Sequence, residues 1–153
     1  MSPRGVTGAA NGTDQNLAIS LPFSYVPPEM DDHFQRGIEE FNRQFFFEAH
    51  DTWEELWMET TGTHRLFYQG MIQTAVGFYH LSNRNYKGAC SQFGKALAKL
   101  EQYLPVCQGV DTRNLANGVR ECRFDAELLR DGKLTAFDER KIPRIRISPP
   151  ENY

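Results

Sequence analysis

His50 and Glu54 stand four residues apart, a spacing that sets an imidazole and a carboxylate on one face of a helix. Further on, Gln69, Gln73, Val76 and His80 recur at intervals of four, three and four, a mostly polar stripe in a segment otherwise rich in apolar residues. Imidazole nitrogen with carboxylate oxygen is a donor set for Zn, Mn or Fe, and His50, Glu54 and His80 as ligands would leave an open coordination position. That reading makes the cluster a metal or acid–base site. The competing reading is structural. A buried amide or imidazole without a partner costs about 1–3 kcal/mol. His50, Glu54, Gln69, Gln73 and His80 are therefore expected to converge as a buried polar cluster that fixes helix register, with Tyr68 or Tyr79 as hydroxyl partners.

Other templates are missing from the sequence. It contains no HExxH, no GxGxxG after a strand, no GxxxxGK[ST] loop and no GxSxG elbow. Cys90, Cys107 and Cys122 have no CxxC spacing, and Cys90 and Cys122 fall on apolar helix faces, which suits core thiols in a reducing cytoplasm. His33 and His64 sit at helix starts and need no chemical role. Phe45-Phe46-Phe47, Trp53 and Trp57 read as core aromatics rather than a binding patch. A net charge of −3, from 17 Lys+Arg and 20 Asp+Glu, gives no broad cationic field, so nucleic acid is not an expected partner. No apolar run is long enough to span a bilayer and no secretory leader is expected.

The elements that must position the cluster are helical. Asp31 and Asp32 open a helix carrying Phe34, Ile38, Phe41 and Phe45 as one stripe. A second helix over 47–59 has Ala49, Trp53, Leu56 and Trp57 on its apolar face, with His50 inside that face and Glu54 at its border. A third, near 64–81, is apolar almost all round and reads as the central element. The fourth spans about 86–103, and the fifth runs from about Asp111 to Gly132 with Leu115, Val119, Cys122, Ala126 and Leu129 in register. The expected fold is all-α, a compact antiparallel bundle of about five helices over 31–132. Residues 1–30 are expected to be a flexible or extended tail, and 133–153 an extended basic tail with at most a short edge strand. Ten acids lie between Glu29 and Glu59 against Arg36 and Arg43, whereas six basic residues lie between Arg130 and Arg146. The basic tail is expected to dock on those acidic helices or on an acidic partner.

Phe46-Phe47-Glu48-Ala49-His50-Asp51-x-x-Glu54-x-x-Trp57, then Tyr68-Gln69-Gly70-x-Ile72-Gln73-x-Ala75, then His80 ahead of Asn85-x-x-Gly88-Ala89, resemble the domain-of-unknown-function 309 family over about 34–104. The resemblance implies a helical bundle, motif positions Glu48, His50, Glu54, Trp57, Gln69, Gln73 and His80, and the family's label of metal-dependent hydrolase. Asn85-Tyr86-x-Gly88-Ala89-x-x-x-Phe93-x-Lys95-Ala96-Leu97 also resembles part of one tetratricopeptide unit, which implies a protein-binding helical surface or tails. The sequence thus favours a non-enzymatic interaction module with a structural polar network. The alternative is a metal-dependent hydrolase with metal at His50, Glu54 and His80 and with Glu48 or Asp51 as a base.

Overall fold

Asp31 starts the first helix. In the computed structural model, which describes residues 30–148, its carboxylate accepts the backbone N–H groups of His33 (2.7 Å) and Phe34 (3.2 Å). Helix α1 (Asp32–Asn42) buries Phe34, Gly37, Ile38 and Phe41. It stops at a turn in which Gln44 takes φ 66°. That turn corrects one expectation: Phe45 does not continue the stripe but is exposed, and Phe46 enters the core instead. Helix α2 (Phe46–Glu59) buries Phe46, Ala49, Thr52, Trp53 and Leu56. A short 3-10 turn at Gly62–His64 leads into α3 (Arg65–Ser82), followed by α4 (Tyr86–Leu100) and α5 (Thr112–Arg130). Asp111 caps α5 by accepting the Asn114 N–H at 3.0 Å.

Each helix packs mainly on its neighbours in sequence, α3 against α4 most extensively. The architecture is an all-α bundle of five helices among the described residues, as the periodicity predicts. Its core is aromatic. Trp53 is fully buried and donates its indole N–H to the Phe34 carbonyl at 3.1 Å. The ring stacks on Phe41 with centroids 6.2 Å apart, and it lies flat on Gly37, where any β-carbon would run into it. No helix among the described residues is long and apolar enough to cross a membrane.

The chain after α5 returns to the body. A 3-10 turn at Glu139–Lys141 precedes an extended stretch, and the Asn42 side chain pairs with both backbone groups of Ile145. Its oxygen accepts the Ile145 N–H at 2.7 Å, and its amide donates to the Ile145 carbonyl at 3.0 Å. Ile147 bridges Val110 of a two-strand hairpin, β1 (Val106–Cys107) and β2 (Val110–Asp111). Further bonds run from Asp111 N–H to the Arg146 carbonyl and from Ser148 N–H to the Gly109 carbonyl. The tail therefore docks, but not by charge on the acidic stretch at 29–59. It meets α1 through an amide, and its ion pairs go to α5, with Lys141 2.9 Å from Asp125 and 3.7 Å from Glu121. The hairpin gave no periodic signal because each strand has only two residues. Of the amino-terminal tail expected over 1–30, residues 1–29 lie outside the described residues, and Met30 is buried in the core.

Candidate functional site

The site lies along the α2–α3 pair, whose antiparallel register is fixed at both ends. At one end Phe46 packs on Phe78 (5.4 Å between centroids) and Phe47 on Tyr79 (5.5 Å). At the other, Arg65 places its guanidinium 4.0 Å from the Trp57 ring and donates to the carbonyls of Trp57 and Thr60, each at 2.9 Å. Those bonds add a charged donor to carbonyls at the end of α2, of which the Trp57 one also accepts the Thr60 N–H at 3.1 Å. Between the two ends lie His50 and Glu54 on α2, and Gln69 and Gln73 on α3.

None of the five residues expected as a buried cluster is buried. His50, Glu54, Gln69, Gln73 and His80 are all half-buried, because their stripe lies at the edge of the packed face rather than inside it. His50 Nδ1 donates to its own helix, to the Phe47 carbonyl at 3.2 Å, and Nε2 lies 3.9 Å from Glu54, too far for a hydrogen bond. His80 serves another junction. Its Nδ1 accepts from the Asn85 amide at 3.2 Å, while the Asn85 oxygen caps α4 at the Gly88 N–H, 3.0 Å away. Among the described residues no hydrogen bond links the α2 members to the α3 members, and no hydroxyl of Tyr68 or Tyr79 joins them. The expected mutual network is therefore not formed. Nor are His50, Glu54 and His80 gathered as a ligand trio: no group of three or more His, Cys, Asp or Glu able to hold a metal exists among the described residues.

Two polar atoms in this region are closed to water and have no partner, Trp57 Nε1 and Gln73 Oε1. Native proteins leave few such atoms, and each one carries a desolvation cost of about 1–3 kcal/mol. Around them the surface is apolar and acidic. Phe47 and Tyr79 are exposed, as are Leu66 and Met58. Helix α2 carries Glu48, Asp51, Glu54, Glu55 and Glu59 and no Lys or Arg. Glu48 is exposed in the first turn of α2. Sequence reasoning missed the exposed rim by assigning the whole Phe45–Phe47 run to the core. Three consecutive helix-start residues point in directions about 100° apart, so only one of them can face inward.

The thiols lie apart from this site. Cys90 and Cys122 are buried, and Cys107 is partly so. Burial pushes Cys107 up to about 11 and Cys122 up to about 12, and it raises Cys90 as well. A raised thiol pKa favours the fold below the unfolded value, near ~8.5, and that contribution is lost as pH rises toward the folded value. Stability is thus expected to fall between about pH 8.5 and 12. At pH 8, iodoacetamide should label Cys107 and Cys122 in the native chain on the order of 100-fold more slowly than in urea. Labelling at the unfolded rate without denaturant would contradict this placement.

Comparison with curated proteins gives no match. A family model described as Domain of unknown function (DUF309) matches residues 34–91, from Phe34 in α1 to the first half of α4. The matched stretch holds the α2–α3 pair and every motif position from Glu48 to His80. Over residues 34–91, the chain is similar to the DUF309 family.

Proposed function

We propose that this chain is a non-enzymatic helical module that binds a basic, partly apolar segment of another protein along the outer side of α2 and α3. The observation that carries this reading is the exposed Phe47–Tyr79 aromatic pair next to an acidic helix that bears no Lys or Arg. The cation-free acidic helix selects a partner rich in Lys or Arg. Aromatic side chains at a partly desolvated rim are the residue types that concentrate binding energy. Free thiols and the absence of a membrane-crossing helix among the described residues fit a cytoplasmic setting. The hydrolase alternative draws no support from the spread of His50, Glu54 and His80.

Selection of random peptides on the full chain tests this reading. The enriched sequences should combine Lys or Arg with aliphatic residues. Replacing Phe47 and Tyr79 together by Ser should weaken the selected peptide by about tenfold or more, in a chain whose circular dichroism still shows the folded helical bundle. No common pattern, or affinity indifferent to the double change, would refute the surface. Metal analysis of untagged protein separates the alternative, since stoichiometric metal that disappears in His50→Ala would favour the hydrolase instead.

A further inference from the structure

A second site lies on the other side of the molecule, where the returning segment 140–147 runs beside α1 and α5. A furrow of about 1060 Å³ opens there, lined by five cationic side chains and two carboxylates, in a chain whose net charge is negative. Two of the cations are already committed. Arg140 is held by Asp138 at 3.0 Å and Lys141 by Asp125 at 2.9 Å. One carboxylate, Glu121, also faces Lys141, and the other, Glu39, accepts from the Gln35 amide at 3.2 Å. Arg43, Arg144 and Arg146 are left with no carboxylate partner among the described residues.

Their placement is set by the backbone. In the extended stretch successive side chains alternate, so buried Ile145 puts Arg144 and Arg146 together on the opposite, exposed side. Asn42 fixes that alternation by holding both backbone groups of Ile145, and Arg43 follows Asn42 directly at the end of α1. Arg43 is steadied by the Phe45 ring, 4.9 Å below its guanidinium. Ile38 and Ile142 add apolar wall, and Asn114 and Asn117 add neutral amides.

We propose that this furrow binds a small phosphate-bearing ligand, with Arg43, Arg144 and Arg146 gripping the phosphate oxygens and the apolar wall carrying the rest of the molecule. Guanidinium forks match phosphate geometry and lose less hydration than ammonium groups on binding. A small ligand fits better than nucleic acid, because the cations are confined to one furrow and the acids of α2 would repel an extended polyanion. It also fits better than an acidic peptide, since one phosphate group carries more charge and more acceptor oxygens than one carboxylate and can engage more than one guanidinium at once.

Isothermal titration of the full chain with sodium pyrophosphate and with ATP tests the proposal. Saturable binding of either, weakening with added salt, is expected. The Arg144→Ala/Arg146→Ala double variant should lose about tenfold or more in affinity while keeping the wild-type melting temperature. The Lys-for-Arg pair should retain part of the binding, and Lys87→Ala on α4 should change nothing. Failure of both probes to bind, or binding unaltered in a folded double variant, would overturn the proposal. So would preference for a single-stranded oligonucleotide or a poly-glutamate peptide over both probes.

Discussion

Trp53→Ala lowers the unfolding free energy by about 3–5 kcal/mol, the range for deleting a large aromatic from a close-packed core. The indole meets three neighbours at once. It stacks on Phe41, lies within 6.1 Å of Phe34 between centroids, and closes against the bare backbone of Gly37. Its removal leaves a cavity that helices α1 and α2 cannot collapse into without breaking their register. The Phe34 carbonyl also loses its indole donor. Trp53→Phe separates the two contributions by keeping most of the volume and losing the hydrogen bond, so it should cost less than half as much. Urea melts followed by circular dichroism measure both, and a Trp53→Ala cost below about 1 kcal/mol would show that the ring does not hold α1 and α2 together.

The second large effect is expected at the returning tail. Asn42→Ala strips the Ile145 N–H and carbonyl of their partners, and each group left buried and unpaired costs about 1–3 kcal/mol. The loss is capped by detachment of the segment, after which water satisfies both groups. Truncation after Gly132 should therefore cost more than Asn42→Ala, because it also removes Ile145 and Ile147 from their packing and Lys141 from Asp125. For a chain of this size each kcal/mol shifts the melting temperature by about 2–4 °C. Scanning calorimetry of the three proteins checks the order: wild type, then Asn42→Ala, then the truncation. An unchanged melting temperature on truncation would mean that the tail rests on the body without stabilising it. Gly118 offers an independent probe, since a β-carbon there would come within 2.6 Å of the Pro143 ring and push the tail outward.

The two candidate sites differ in how they arise. The α2–α3 surface is built from residues close in sequence, on helices that form early in the chain and meet as a hairpin. The arginine furrow joins the end of α1 to a segment about a hundred residues later, through the Asn42–Ile145 pair. Losing Asn42 should therefore weaken the second site and leave the first untouched.

The helices themselves were legible from the amino acids. Phe34, Ile38 and Phe41 form a stripe because an apolar helix face repeats near 3.6 residues, and Asp31 and Asp111 mark starts because their carboxylates reach the free N–H groups of the first turn. The spacing of His50 and Glu54 placed them on one helix face, which the structure keeps. Burial was a different matter. Angular position on a single helix says which side chains neighbour one another, but how much of each is covered depends on where the flanking helices end. Half-burial of Gln69, Gln73 and His80, exposure of Phe47, and the separate bond of His80 to Asn85 all follow from that packing. The docking of Ile145 on Asn42 was beyond any local pattern, since its partners stand 103 residues apart and only the closed chain brings them together.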